Sequence, residues 1–342
     1  MKQYKVGLVG IGAVGTEMIK ILRQRNFPAS EIRVLATRER DEEIAGETFH
    51  VLATTPEAFE DLDIVLFAGT EGSKGASRMW GQVAIDHGAI VIDNGDDFRM
   101  KDDVPLVIPE INGDAMEAMV RKGSRFIANP NCSTIITLMG IAALHRVNPL
   151  RHMTAVTFQS VSGAGRAAIN ELETQLKQVS NGEPTEPKAF AHQIVSNVIP
   201  QIGGAKPEMP GFTSEEAKLT FESRKILGAP ELRIACTCVR VPVFYAHSIA
   251  VHATFERPFT VAEMRDIFSK APGVDLIDDL GAAAYPMPLN AGGKDNVAIG
   301  RIRIDPSEEN GVALWCSGDN IRKGAALNAV QIAEELVRRE LV

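Results

Sequence analysis

The sequence feature that most constrains the fold is a glycine-rich turn, GIGAVG at residues 10–15, between an apolar run and a helical pattern. In such a turn the first glycine allows a tight bend, the second lets the backbone approach a pyrophosphate, and the third allows close helix–strand packing. The N-terminus of the following helix then directs its free N–H groups at the phosphates. We therefore predict a dinucleotide site rather than a purely structural turn. Its predicted residues are Gly10, Gly12, Ala13, Val14 and Gly15.

Short apolar runs alternate with helical segments along the first 130 residues. This alternation favours an α/β domain with a parallel, doubly wound sheet of the Rossmann type. The predicted strands are residues 4–9, 31–37, 63–69, 89–93, 104–111 and 125–128, and the predicted helices follow the glycine turn and cover 72–86.

The pattern changes after residue 130, where the strands lengthen and polar and apolar residues partly alternate. This pattern is typical of a largely antiparallel sheet with helices on one face, so we predict a mixed α+β second domain. Residues 180–210 contain much Pro, Gly and Asn and predict a long excursion, either a subunit contact or a lid. Residues 322–340 predict an amphipathic helix. The predicted strands of this half are 150–161, 231–241, 245–257, 296–305 and 311–317.

Length and charge exclude several classes of protein. A sequence of 342 residues is too long for one ordinary core, so we expect two domains. The net charge is 36 − 44 = −8, with basic residues scattered among acidic ones, which argues against nucleic-acid or membrane-surface partners. No stretch approaches the roughly 18 apolar residues of a spanning helix, and the N-terminus does not have the apolar segment of a secretory signal.

The cysteines point to a reducing compartment. Four cysteines in this length are no disulfide framework, and free thiols are typical of the cytoplasm, where we expect the protein. Cys236 and Cys238 share one face of a predicted strand and are interpreted as buried apolar residues. Because no second Cys/His pair stands at zinc spacing, no metal is expected.

The end of the second predicted strand bears on the choice of dinucleotide. An acidic residue there usually takes the ribose 2′-hydroxyl of NAD. This protein has instead Thr37, Arg38, Glu39 and Arg40, so that a hydroxyl and two cations favour a 2′-phosphate and hence NADP. Two alternatives stay open, since the arginines can also be ordinary charges of an exposed loop and Glu39 leaves room for a ribose contact.

A second motif contains a candidate nucleophile. NPNCST at residues 129–134 is a polar turn that precedes an apolar helical run, which places Cys132 at or beside a helix N-terminus. The partial positive charge there favours thiolate over thiol. A thiolate together with a nicotinamide indicates aldehyde or acyl chemistry, in which a thioester or hemithioacetal forms and hydride moves at that carbon.

Cysteine chemistry of this kind needs an acid/base group. His247 lies in RVPVFYAHS, a polar interruption between two predicted strands, seven residues after Arg240. This arrangement is predicted to be an anion clamp beside an acid/base, although its spacing is equally compatible with a surface loop. His145 lies in an apolar helical run and is interpreted as structural.

Long segments of the sequence resemble the aspartate-semialdehyde dehydrogenase family, and they follow that family's order from end to end. The segments are VIDNGDDFRMKDDVPLVIPEIN at 91–112, NPNCST at 129–134, QSVSGAGRAAINELETQ at 159–175, NVIPQI at 197–202, RKILG at 224–228, RVPVFYAHS at 240–248, VAIGRIR at 297–303 and DNIRKGAALNAVQIAEEL at 319–336.

The resemblance implies a reaction and an architecture. The family reduces aspartyl 4-phosphate to aspartate 4-semialdehyde with NADPH and releases inorganic phosphate, a step in amino-acid biosynthesis of the aspartate family. It implies a dinucleotide-binding domain of residues 1–129 plus 322–342 and a catalytic and dimerisation domain of residues 130–321. It also implies a homodimer or a dimer of dimers.

The resemblance further implies a role for each matching residue. Cys132 is the nucleophile, Gln159 positions the acyl intermediate, and His247 is the general acid/base. Arg240 holds the substrate carboxylate, and Glu222 meets the substrate amino group. The remaining residues are Arg99, Asn131 and Lys225 at the phosphate site, and Ser162, Gly163 and Asn320 at the cofactor.

The Glu222–Lys225 pair also has support from spacing, since residues three apart in a helix share a face. Glu222 separates the main expectation from its alternative, a sister enzyme such as an N-acetylglutamyl-phosphate or acyl-CoA reductase, whose substrate has no free amino group. A further alternative is an inactive regulatory paralogue. Three departures bear on cofactor and phosphate: the short glycine turn, AGTEGSKGAS at 68–77, and the segment 95–97 (Gly-Asp-Asp).

Overall fold

The structure is a computed structural model that describes residues 2–69 and 75–342. It divides into two compact units, Met1–Asn131 with Ala325–Val342, and Cys132–Gly324. Within the described ranges, no helix combines the length and apolar character needed to cross a membrane.

Thirteen strands and ten helices are assigned in the described residues. The strands are β1 (Tyr4–Val9), β2 (Ala29–Ala36), β3 (Arg40–Ile44), β4 (Glu47–Ala53), β5 (Ile64–Phe67), β6 (Ile90–Asp93), β7 (Phe126–Ala128), β8 (Leu150–Gln159), β9 (Arg233–Arg240), β10 (His247–Phe255), β11 (Val274–Leu276), β12 (Val297–Ile304) and β13 (Gly311–Gly318). The helices are α1 (Ala13–Gln24), α2 (Ala76–Asp86), α3 (Pro109–Arg121), α4 (Cys132–Met139), α5 (Ala142–Val147), α6 (Arg166–Ser180), α7 (Ser214–Ile226), α8 (Val261–Ser269), α9 (Pro288–Ala291) and α10 (Leu327–Arg338).

The first unit contains a seven-stranded sheet in the order β3-β4-β2-β1-β5-β6-β7. Every neighbouring pair is parallel except β3 with β4. Strands β5 and β6 are buried along their whole length, as a sheet covered on both faces requires. The register pairs Val9 with Leu35, so β1 and β2 end side by side just before the glycine turn and before residues 37–40. The predicted parallel, Rossmann-type sheet is confirmed.

Two local predictions in this unit differ from the structure. Residues 104–111 do not form a strand, because Pro105 cannot donate to a ladder and Pro109 begins α3, which leaves one bridge from Leu106 to Ala128. The β3–β4 hairpin was not predicted, because four of the five residues of β3 are charged and the apolar run at the end of β4 is only three residues long. Part of the predicted 72–86 helix lies outside the described residues, as do residues 70–74 of the segment 68–77.

The second unit contains a six-stranded mixed sheet in the order β11-β12-β13-β10-β8-β9. The three central pairings are antiparallel, and the two outer ones, β11–β12 and β8–β9, are parallel. Helix α4 packs against β8, β10 and β13, and α7 packs against β9. The predicted mixed, largely antiparallel sheet is confirmed, and residues 181–213 lie between α6 and α7 without a helix or strand.

Candidate active site

Cys132 is the first residue of α4, as the polar turn before it predicted. The helix is apolar and buried, so its position is fixed by the core of the second unit. The positive end of the helix dipole lies at its first turn and favours the thiolate. Gly324 faces this residue, and a Cβ at that position would lie 2.9 Å from the Cβ of Cys132. Residue 324 therefore has no room for a side chain beside Cys132.

His247 provides the partner of the sulfur. It is the first residue of β10 and is fully buried, and its Nε2 lies 3.4 Å from the Cys132 Sγ. The strand break predicted around it is real, since β9 ends at Arg240 and β10 begins at His247. This geometry is that of a nucleophile with its acid/base group in hydrogen-bond reach.

The neighbours of His247 determine which ring nitrogen is protonated. The backbone N–H of Ser160 donates to Nδ1 at 3.1 Å, and this donor cannot be reversed as a hydroxyl can. Nδ1 is therefore the unprotonated nitrogen of the neutral ring, and the proton is on Nε2, facing the sulfur. The Ser160 hydroxyl, 3.0 Å from Nδ1, is also 3.0 Å from Asn320 Oδ1. These contacts fix both the tautomer and the orientation of the ring.

The pKa of His247 lies well below its ordinary value of 6.5, because burial disfavours the charged ring and the positive charge of Arg240 adds to this effect. A backbone contact with Ala246 opposes it only in part. We expect the ring to stay neutral as the pH falls through 6.5. The pKa of exposed His50, hydrogen-bonded to Asp41, is raised instead, which makes it an internal control.

Histidine-selective NMR titration of the wild-type protein and of His50→Gln measures this difference. We expect the His247 resonance to titrate well below pH 6.5 and the His50 resonance above it. Below pH 6.5 the unfolded protein binds a proton at His247, whereas the folded protein does not. His247 should therefore lower the free energy of unfolding as the pH falls from 6.5 towards the pKa of the folded protein. A His247 resonance that titrates above 6.5 would contradict the proposed neutral ring.

Arg240 closes the other side of the site. It is 6% exposed, and its Nη1 donates to the carbonyl oxygen of Ser160 at 2.8 Å. Burial lowers its pKa, while the negative charges of Glu215 and Cys132 oppose that effect. Gly163 also lies here, because a Cβ at that residue would be 2.9 Å from Arg240 Nη1 and 3.1 Å from His247 Cε1. Any side chain at residue 163 would displace one of the two groups.

Gln159 joins this group through a carboxylate that the sequence analysis missed. Its Nε2 donates to Glu215 Oε1 at 3.1 Å, and its Oε1 accepts from the Thr157 hydroxyl at 2.9 Å. Glu215 is buried in the first turn of α7. The predicted Glu222 is also buried on α7, about two turns further along. The capping box at Thr213–Glu216 is the sequence signal that fixes where α7 begins and hence where Glu215 lies.

The predicted cofactor residues of the second unit belong partly to this buried network. Asn320 Oδ1 accepts from the hydroxyls of Ser160 and Ser162, each at 3.0 Å, and from the N–H of Ala246 at 3.1 Å. These three hydrogen bonds to Asn320 stabilise the segment between β9 and β10 and the position of His247. Their part in cofactor binding stays a prediction.

The glycine turn of the first unit fits a pyrophosphate. Gly10 has φ +95°, which favours glycine, and a Cβ at Gly15 would lie 2.0 Å from the Gly10 carbonyl oxygen. Gly12 precedes α1, and a Cβ there would meet no described atom within 4 Å. Among the described atoms, the space beside Gly12 at the N-terminus of α1 is thus open to a phosphate.

The predicted 2′-phosphate residues differ in how they are held. Thr37, Arg38 and Glu39 are exposed. Arg40 begins β3, and its Nε donates to Glu42 Oε2 at 2.9 Å. Glu39 Oε1 lies 3.0 Å from His50 Nε2. Arg40 is therefore hydrogen-bonded within the β3–β4 hairpin, whereas Arg38 is exposed to solvent.

The predicted phosphate residues lie in different units. Arg99 and Asn131 are buried in the first unit, where Arg99 Nη2 donates to the Asn94 carbonyl oxygen at 2.7 Å. Lys225 lies on α7 in the second. Near Arg99, Asp97 forms an ion pair with Arg78 at 3.6 Å. This contact accounts for one of the two acids, Asp96 and Asp97, by which the segment 95–97 departs from the family.

No cluster of three metal-ligating side chains occurs among the residues the structure describes.

A nucleotide-type parallel sheet in one unit, and in the other a half-buried Cys132 beside buried His247 and Arg240, define the class of enzyme as a dehydrogenase that acts on aldehydes. The sequence matches the description "Semialdehyde dehydrogenase, NAD binding domain" over residues 5–119 and "Semialdehyde dehydrogenase, dimerisation domain" over residues 141–323. The protein belongs to the semialdehyde dehydrogenase family. These matches support a nucleotide cofactor and a homodimer.

Curated relatives and a solved structure agree with this placement. The protein is 42% identical to an aspartate-semialdehyde dehydrogenase of Prochlorococcus marinus, over 96% of this sequence and 94% of that protein. It is also 42% identical to one from Synechocystis, over 98% of each. The structure of aspartate semialdehyde dehydrogenase II from Vibrio cholerae, complexed with ASA, is 39% identical with a TM-score of 0.92 and covers 99% of both proteins.

Proposed function

We propose that this enzyme reduces aspartyl 4-phosphate to aspartate 4-semialdehyde with NADPH and releases inorganic phosphate. The observation that carries the proposal is the Cys132 sulfur 3.4 Å from a neutral, buried His247 beside the buried guanidinium of Arg240. A nucleophile, an acid/base and a cation for a carboxylate are the groups that a small carboxylated acyl phosphate needs. The names of the relatives and the ASA complex of the Vibrio cholerae enzyme support the same substrate.

The proposed chemistry begins at Cys132. Its thiolate attacks the 4-carbonyl carbon, the bond from that carbon to the phosphate oxygen breaks, and phosphate leaves with the electron pair. NADPH, when bound, would supply the hydride that reduces the resulting thioester. The C–S bond then breaks, which releases the aldehyde and restores the thiolate. His247 directs Nε2–H at this sulfur, so it stabilises the thiolate at both stages and can donate a hydrogen bond to the substrate oxygen as negative charge develops there.

Three residues are proposed for the phosphate and one for the amino group on family resemblance. Arg99, Asn131 and Lys225 would take the phosphate, and Glu222 would take the amino group. Two observations favour Glu215 for the amino group instead. The Glu215 carboxylate accepts a hydrogen bond from Gln159, and its negative charge acts on the guanidinium of Arg240. Lys218 stands three residues after Glu215, the same spacing as Lys225 after Glu222. We therefore propose Glu215 as the primary ammonium partner.

The variants Glu215→Gln and Glu222→Gln test this choice, since each keeps the shape of the side chain and removes its charge. We expect Glu215→Gln to raise KM for aspartate semialdehyde by about ten- to a hundredfold, the worth of a charge-assisted hydrogen bond. Steady-state kinetics with both variants measure the effect, with Glu222→Gln expected to change KM much less. A larger effect at Glu222 would restore the original assignment.

NADP is proposed over NAD because Arg38 is exposed at the end of β2, while Glu39 lies against His50. Arg38→Ala should weaken NADP binding about ten- to a hundredfold and leave NAD binding nearly unchanged. Arg40→Ala is the matched control, because that arginine already contacts Glu42. Kd values for both dinucleotides, measured at two salt concentrations, check the prediction. Equal losses of NADP and NAD would mean that Arg38 only stabilises the loop.

One assay tests the proposed function as a whole. Phosphate-dependent reduction of NADP by aspartate semialdehyde should be fast, and the N-acetylated and CoA-linked analogues should be poor substrates. A preference for an acetylated or CoA-linked substrate would identify a sister enzyme. No activity on any of them, with NADP binding intact, would favour an inactive paralogue.

The matched dimerisation domain supports assembly as a homodimer, and a dimer of dimers is the proposed larger form.

A further inference from the structure

Residues 186–199, here called the strap, contain no helix or strand but are held by one buried carboxylate. Glu171 of α6 is 7% exposed. Its Oε2 accepts the backbone N–H of Lys188 at 2.9 Å and that of Ala189, and its Oε1 accepts Gln175 Nε2 at 3.0 Å. Charge-assisted bonds of this kind are strong, and a buried carboxylate without them would be costly.

Gln175 continues the attachment one helical turn further along α6. Its Oε1 accepts the backbone N–H groups of Ile194 at 3.1 Å and Val195 at 3.2 Å. The side chains of Ile194 and Val195 are buried in a cluster with Ile169 and Leu172 of the same helix. Two polar side chains and an apolar face of α6 therefore fix the path of the strap.

The strap meets the active site at Arg240, by two contacts. Ile199 and Arg240 exchange both backbone hydrogen bonds, each at 2.9 Å. Phe190 is half-buried, and its ring centre is 5.9 Å from the guanidinium carbon of Arg240. An arginine at this distance from an aromatic ring is attracted to the ring's negative face. The series of contacts that begins at Glu171 thus ends at the cation proposed to bind substrate.

We propose that Glu171 and Phe190 are positioning residues for Arg240, and that the strap aligns the guanidinium for the substrate carboxylate. A guanidinium binds a carboxylate through its edge, in its own plane, so a ring beside it does not compete with the substrate. The strap limits rotation of that plane, while the Ser160 carbonyl oxygen already occupies Nη1. This inference rests on the proposed function only for the identity of the ligand, a substrate carboxylate.

Phe190→Leu and Phe190→Tyr separate the ring from its bulk. Leu keeps an apolar side chain but has no π face, and Tyr keeps the ring. We expect Phe190→Leu to raise KM for aspartate semialdehyde about tenfold, corresponding to about 1.4 kcal/mol, with kcat and thermal stability nearly unchanged. Phe190→Tyr should retain the wild-type KM. A wild-type KM in Phe190→Leu would overturn the role of the ring.

Glu171→Gln tests the attachment, with exposed Glu173→Gln on the same helix as control. The amide can accept fewer of the backbone N–H groups, so we expect faster proteolysis within residues 186–198 and a higher KM. Peptide mass spectrometry should also show faster modification of Arg240 by phenylglyoxal. Glu173→Gln should match the wild type in all three measurements. Unchanged proteolysis and modification in Glu171→Gln would overturn the attachment.

These readouts separate the inference from the proposed function. Proteolysis and arginine modification need no turnover, so they report on the strap even if aspartate semialdehyde is not the substrate. Faster Arg240 modification in Glu171→Gln and Phe190→Leu, with no wild-type activity on aspartate semialdehyde, would support the strap and reject the function. Normal wild-type activity, with unchanged Arg240 modification in both variants, would support the proposed function and reject the role of the strap.

Discussion

Cys132→Ser should lower kcat by at least about 10³, with folding and NADP binding intact. The hydroxyl has nearly the same size as the thiol, but it ionises at far higher pH, so neither the helix terminus nor His247 yields a useful nucleophile. The oxidative, phosphate-dependent assay with NADP measures kcat, and cofactor titration measures binding. Near-normal turnover by the serine variant would exclude a covalent thioester.

Cys236→Ser is the matched control for this experiment. Cys236 is a buried residue of β9, and its Sγ lies 3.2 Å from the carbonyl oxygen of Glu216, a contact that a serine hydroxyl can keep. It has no contact with His247 in the described structure. We expect its kcat to stay close to that of the wild type, so that a loss in both serine variants would point to misfolding rather than chemistry.

His247→Ala should lower kcat by about 10²–10⁴, the usual worth of a positioned acid/base. The change removes the Nε2–H group that lies 3.4 Å from the Cys132 sulfur, and it leaves Ser160 and Asn320 without the ring they orient. Steady-state kinetics should show a KM much closer to the wild-type value. Thermal melting tests whether the cavity left by the buried ring destabilises the fold.

Arg240→Lys provides the contrasting variant. An ammonium keeps the charge but lacks the planar fork, so we expect a strong rise in KM with a smaller change in kcat. If the two variants show interchanged effects, the roles of the histidine and the arginine are reversed. If neither differs from the wild type, the strand break is only structural.

The backbone pattern made some of these residues predictable and left others hidden. Cys132 and His247 stand where a helix and a strand begin, and such boundaries are marked by prolines, polar turns and apolar runs. Glu215 and Glu222 lie on the same helix, and each has a lysine three residues later. Spacing cannot distinguish the two, because which turn of α7 lies beside Gln159 depends on how the helix packs on β9.

The fold shows the same division. The apolar strands of the first unit were predicted because burial on both faces leaves a continuous apolar run. The β3–β4 hairpin escaped prediction, since both strands are partly exposed and β3 consists of four charged residues followed by Ile44. Residues 104–111 have the apolar composition of a strand, but two prolines prevent the ladder, so composition alone misled.

Residue 160 has a consequence for any mutational survey of this enzyme. Its backbone N–H holds the ring of His247 and its backbone carbonyl oxygen holds the guanidinium of Arg240, whatever side group it bears. Substituting the serine therefore leaves both bonds in place, and only proline, which has no N–H, removes one of them. A scan by alanine would remove only hydroxyl contacts, including those with His247 and Asn320, and it would not test the two backbone bonds on which both side chains depend. The activity of variants at residue 160 would therefore report on the contribution of the hydroxyl group and not on that of the backbone.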